Sequence, residues 1–357
     1  MLFNVLKNFK NCLPAGLARL LRGFHAVPVF VFPAGWLGFS LLAIAAETNS
    51  TPAWPPPPAE PRIIFVRSIS GPSDIGVRPA ALMRFANWIT GVSSRRQQLD
   101  RPFGLSLDES ENLLVTDTGA AAVSYLDFTR KKWLRWTAAG KTSFLFPVAA
   151  VRRGSTFFVA DSGLGEVIAF DESGQVRFAI TNGLERPSGL ALLGDHLLIA
   201  DSQRHQIVVC GLHGELISSF GRRGSGPGEF NFPTHVSVDN RRRIYVTDSL
   251  NHRIQVFDAD GRFLREFGSV GDGPGRFSRP KGVAVDGGGH IYVVDGVFNN
   301  VQIFDDQNRL LLDFGELGAA AGQFCLPNAI VINSRNEIFV ADAFNHRLQM
   351  LRYISQP

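Results

Sequence analysis

Cysteine is scarce in this chain of 357 residues, with only Cys12, Cys210 and Cys325. A secreted domain framed by disulfides shows an even, spaced set, so this fold must be stabilised by its core. Net charge is nearly absent from the body. Residues 1–60 hold Lys7, Lys10, Arg19 and Arg22 against Glu47 and Glu60, which leaves 32 basic against 30 acidic residues in 61–357. A body this close to neutral sets up no field for drawing in nucleic acid, and no nucleic-acid partner is expected. The clusters Arg95-Arg96 and Arg241-Arg242-Arg243 read as solvated turns. A nucleophile elbow, a phosphate-binding loop and Cys/His metal spacing are all missing. No catalytic residue, metal ligand or cofactor is therefore assigned.

What is present begins with a leader. Residues 1–23 are basic and free of acids, and residues 24–46 carry no formal charge. That apolar stretch is about long enough to cross a bilayer, although Pro28 and Pro33 weaken its first third. Residues 34–46 have the length of a signal-peptide apolar region, and Ala43-Ile44-Ala45 fits small-x-small cleavage. Two readings of residues 1–46 stand: a cleaved signal peptide, or an uncleaved transmembrane anchor with its basic end in the cytoplasm. Either places the rest on the periplasmic or extracellular side, and the anchor would make the membrane a partner. Residues 47–61 read as a Pro-rich linker whose run Pro55-Pro56-Pro57-Pro58 predicts a stiff spacer.

The remainder repeats itself. An apolar run ending in aspartate recurs at Asp117, Asp161, Asp201, Asp248, Asp295 and Asp342. A proline before a short apolar strand recurs in step, at Pro102, Pro147, Pro187, Pro233, Pro280 and Pro327. Within one unit, residues 228–268, four short apolar runs are separated by turn residues: Asn240 to Arg243, Ser249 to His252, and Asp258 to Gly261. Four strands joined by tight turns form one twisted sheet. A sheet apolar on both faces cannot stand alone, and radial stacking buries each copy between two others. Six such units at periods of 40–47 residues predict an all-β, six-bladed β-propeller of four-stranded antiparallel blades over residues 62–357.

Closure follows from what the last unit lacks. Its third strand ends near Leu351, and the chain stops at Pro357 with no fourth. Residues 62–70 have the right length and pattern to supply it, so an N-terminal strand is expected to latch the ring. Residues 72–98 are an insertion, in which 80–89 carry apolar residues at helical spacing and predict a short helix.

Asn251-His252-Arg253-Ile254 and Asn345-His346-Arg347-Leu348 lie behind strands of the Ile-Tyr-Val-Val-Asp type, and residues 275–286 read Gly-Arg-Phe-Ser-Arg-Pro-Lys-Gly-Val-Ala-Val-Asp. This wording closely resembles the NHL repeat family over about residues 100–357, most clearly in the last three units. The resemblance implies a six-bladed propeller and no single activity, since such propellers bind protein, bind RNA, sense ligands or occasionally catalyse. Its amidating-lyase members hold zinc with several axial histidines; here only His235 occupies the first-strand register.

His205, His252 and His346 share one register, four residues after their aspartates, but lie on different blades and cannot converge on one ion. They read as turn residues, and the six aspartates read as caps on turn amides. Convergence is possible only at the axis. Two residues after each proline stand Gly104, Ala149, Gly189, His235, Gly282 and Ala329. His235, with Thr234, Lys281 and Asn328 near it in register, is the candidate polar pocket at the channel mouth. Arg204, Arg222 and Arg223 extend the same top face. The expected function is a non-catalytic binding propeller of the cell envelope, recognising a protein, peptide or glycan through that face. The alternative is an exported metal-dependent lyase or hydrolase working near His235.

Overall fold

The computed structural model describes residues 51–77 and 97–354. The leader expected at 1–46 and the helix expected at 80–89 lie outside the described residues. Among the described residues, no helix is long and apolar enough to cross a membrane.

The fourth repeat shows how pattern becomes sheet. Its middle strands, Ile244–Asp248 and Arg253–Phe257, are buried at every position. Such strands need cover on both faces and partners on both edges. The edge partners are Pro233–Val238 on the inside and Phe263–Phe267 on the outside, all antiparallel. Four further sheets repeat this order, with inner strands at Pro102–Leu107, Pro147–Arg153, Pro187–Leu193 and Pro280–Val285. The sixth sheet is built from Pro327–Ile332, Glu337–Asp342 and Arg347–Tyr353, completed from the other end of the chain by Ile63–Ile69. The expected latch is therefore present, and the domain is all-β with six blades.

The faces are covered by the neighbouring blades. The buried apolar residues fall into six clusters, and each draws on two adjacent blades. Leu198 of blade three packs with Val246 of blade four, and Leu113 of blade one packs with Phe339 of blade six. That last interface closes the ring. The latch contributes to two of the six: Ile63 belongs to the cluster between blades five and six, and Ile69 to the cluster between six and one. A β-bulge between Phe65 and Arg67 reverses the strand's phase, so one strand points an isoleucine into each interface.

Two details differ from the sequence reading. The Pro-rich segment is not wholly a spacer: Ala53–Trp54 adds a fifth, outermost strand to blade six, and the Trp54 ring meets Phe314 at 5.7 Å between centroids. Cys210 is a free, buried thiol as expected, but Cys325 is disulfide-bonded. The insertion enters and leaves the ring at fixed points, because Ile75 and Leu99 are both buried in the cluster between blades six and one.

Candidate functional site: the channel mouth

The inner strands nearly touch two residues beyond each proline. A Cβ on Gly104 would lie 2.2 Å from the Val148 carbonyl oxygen, and one on Gly282 would lie 2.8 Å from the Ala329 Cα. Five of the six equivalent positions hold glycine or alanine, and at the three glycines an added Cβ would lie under 3.0 Å from the next blade. The sixth is His235, whose imidazole enters the axial space.

Two cavities meet there. The lower one, about 270 Å³, is lined by the inner strands of all six blades, and the upper one, about 290 Å³, opens at the top face. His235 and Val148 line both, so they form the constriction between them. Both ring nitrogens of His235 are buried without a hydrogen-bond partner among the described residues, and so is Thr234 Oγ1. Burial, reinforced by the nearby Lys281 charge, pushes the His235 pKa down to about 3, so the ring is neutral at physiological pH. Burial and then the Arg279 charge push Lys281 down to about 8, with Asp295 opposing.

The rim is built by the repeated aspartates, each of which is fully buried. Asp201 accepts hydrogen bonds from the amides of Glu185 and Arg186 at 2.7 and 3.1 Å. Asp295 does the same for Ser278 and Arg279 at 2.7 and 3.0 Å, and Asp161 for Leu145 and Phe146. These are the amide caps the sequence suggested. In four blades they hold the amide of the residue before the proline, Arg101, Phe146, Arg186 and Arg279, whereas the equivalent Phe232 and Leu326 amides donate to His205 Nδ1 and Asn299 Oδ1.

The histidine register also has a structural role. His205 Nδ1 accepts from the Phe232 amide at 3.2 Å, and His252 Nδ1 meets the Ser278 carbonyl at 2.8 Å. His346 reaches the Asp100 carbonyl. Each ring joins its blade to the next from a left-handed turn position (φ 56–57°). Among the described residues, no three His, Cys, Asp or Glu side chains are grouped to hold a metal.

The proposed site residues separate into two groups. Thr234, His235 and Lys281 line the upper cavity. Asn328 does not; it is buried and donates its Nδ2 hydrogen to the Phe103 carbonyl at 3.0 Å, tying blade six to blade one. Arg204, Arg222 and Arg223 are exposed and do not line the cavity, with Arg222 paired to Glu229 at 2.9 Å. Sequence reasoning missed Arg186, Arg279, Phe146 and Phe232, which do line it. The signal was one position upstream of each proline, where arginine alternates with an apolar side chain.

Comparison with known proteins agrees with this geometry. A family model described as a six-bladed β-propeller, DUF5128, matches residues 239–295, and the NHL repeat model matches residues 324–350. The chain is a six-bladed β-propeller that carries an NHL repeat. No curated protein is similar to it by sequence. Among solved structures, this propeller is similar to a structural-genomics protein of unknown function from Bacteroides thetaiotaomicron VPI-5482, with 16% identity, 82% of this chain and 75% of that one covered, and a TM-score of 0.56. It is also similar to an auxiliary nutrient binding protein from the same organism, with 14% identity, 72% and 70% covered, and a TM-score of 0.58. A third is virginiamycin B lyase from Staphylococcus aureus, with 12% identity, 71% and 96% covered, and a TM-score of 0.52. At such identities the likeness shows the fold alone.

Proposed function

We propose that this protein is a non-catalytic binding propeller, exported to the cell envelope, that takes its ligand at the channel mouth on the top face. One observation carries the binding reading: the mouth is a cavity whose buried polar groups, His235 and Thr234, have no partner among the described residues. Leaving such groups unpaired costs roughly 1–3 kcal/mol each, a cost that a ligand can relieve. Export is supported by the basic, then apolar, leader in the sequence. Relatives by fold include both a nutrient binding protein and a lyase, so fold does not choose between binding and catalysis.

The lyase reading depends on His235. A ring held neutral down to a pKa of about 3 is a weak base, which favours binding. Two measurements test the reading. A reporter fused after residue 60 should be found outside the cytoplasmic membrane. A photo-crosslinking side chain placed at position 186 should label a ligand saturably in cells, whereas one at the outer-strand position 264 should not. Equal labelling from both positions overturns mouth binding. A stoichiometric metal in the purified protein that is lost on His235→Ala restores the lyase.

A further inference from the structure

We propose that the mouth cavity is a site for an oxyanion, carboxylate or phosphate, borne on an apolar or aromatic body. The inference rests on the binding reading above and names the class of ligand. Three cations converge on the cavity, Arg186, Arg279 and Lys281. None of their side chains has an ion-pair or hydrogen-bond partner among the described residues, whereas Arg135, Arg243, Arg253 and Arg347 each pair with a buried aspartate. Like charges gathered without counter-charge repel one another, and an anion bound among them relieves that repulsion. The nearest carboxylate, Asp295, is already committed to four backbone amides, those of Ser278, Arg279, Val297 and Phe298.

The lining adds no competing anion. The cavity has no Asp or Glu in its lining. Ser188 shares its one hydroxyl hydrogen between the carbonyls of Ala200 and Pro233, and Ser202 and Ser249 donate to Arg186 and Pro280, so the ligand's hydrogen-bond donors are the cations. An oxyanion needs donors, which two guanidinium forks and an ammonium supply. Neutral His235 adds an N–H at the constriction. Phe146 and Leu250 stand in the wall 37% and 43% exposed, with Phe232 beside them. These exposed apolar surfaces suit the body of the ligand. At about 290 Å³ the cavity lies at the small end of ligand pockets, sized for a small molecule or a chain terminus.

The test uses the full-length chain and three probes at pH 7: 3-phenylpropionate, phenyl phosphate and the neutral 3-phenylpropionamide, titrated by calorimetry. At least one anion should bind ten or more times more tightly than the amide. Arg279→Gln and Arg186→Gln should each weaken that anion at least tenfold, while Arg222→Gln, on the same face but outside the cavity, should leave it unchanged. Unaltered melting temperatures confirm that the variants fold, since both arginines are exposed. Which anion binds better distinguishes carboxylate from phosphate. Amide binding as tight as the anions, and still lost on Phe232→Ser, overturns the charge inference and leaves the binding reading intact. Absence of binding by all three probes overturns the oxyanion class, and the crosslinking experiment then decides whether the mouth binds anything.

Discussion

If one strand closes two blade interfaces, its two isoleucines should be independent and equally costly to remove. Ile63 is fully buried among Tyr292, Phe314, Ile338 and Leu351, and Ile69 is fully buried among Leu113, Phe339 and Leu348. Truncating a buried isoleucine to alanine loses its transfer energy and leaves a cavity, about 2–5 kcal/mol in all. The two sites are six residues apart, roughly 20 Å along a strand, and share no cluster, so their costs should add. The double variant should then lose about 4–10 kcal/mol, most of the stability of a domain that holds about 5–15. Equilibrium denaturation followed by circular dichroism measures each variant. Val66→Ser serves as the control, because Val66 lies at the bulge and is 37% exposed; it should shift stability by no more than about 0.5 kcal/mol. If each isoleucine variant loses less than about 1 kcal/mol, Ile63–Ile69 decorates a ring that closes without it. A double loss well below the sum would show that the two interfaces are not separate.

Three further outcomes follow from the same contacts. Lys281→Met should stabilise the protein at pH 7 by up to about 3 kcal/mol. The sign follows from linkage: the folded pKa is lowered from 10.5 to about 8, so between those values the unfolded chain binds the extra proton and wild-type stability rises with pH. The advantage of the variant should therefore shrink from pH 8 to 10.5 in paired melts, and a constant advantage refutes the assignment. Gly104→Val should destabilise by roughly 1–3 kcal/mol or more through overpacking against Val148, whereas Gly287→Ala, with open space around it, should be near neutral in the same assay. Asp248→Ala removes acceptors for Asn231, Asn251, Arg253 and Gln255 and strands a buried guanidinium. The expected loss is about 3 kcal/mol, towards the low end because Glu266 still pairs with Arg253 at 2.8 Å; a loss under about 1 kcal/mol would show that the network is dispensable.

The scaffold was legible because each repeat states the same physics six times. Proline at the start of an inner strand and aspartate at the end of the next keep step, and the two residues pair directly in the sheet, as Pro233 with Asp248 and Pro280 with Asp295. The latch was legible because the last blade visibly lacked a strand. Asn328 was misplaced for a local reason. The residue after proline faces the cavity in blade four (Thr234) and blade five (Lys281), but in blade six the seam to blade one is nearer, and the amide spans it. The two cationic rim residues were hidden because an arginine before a proline resembles ordinary loop chemistry. Only the fold shows that buried aspartates hold that position at the axis.

A site in such a ring therefore has to be sought where a repeat breaks its own rule. Repetition expresses packing, and packing at the axis keeps the residue two places after the proline small in five of the six blades, with 2.2 Å and 2.8 Å approaches that leave no room for a Cβ at Gly104 and Gly282. Stability alone gives no reason to place an imidazole in that register, still less one with both nitrogens unpaired beside a lysine that makes no ion pair among the described residues. His235 and Lys281 each cost the fold free energy through burial. They sit in adjacent blades, in the lining of one cavity with an exposed apolar wall, and a ligand bound among them would offset that cost.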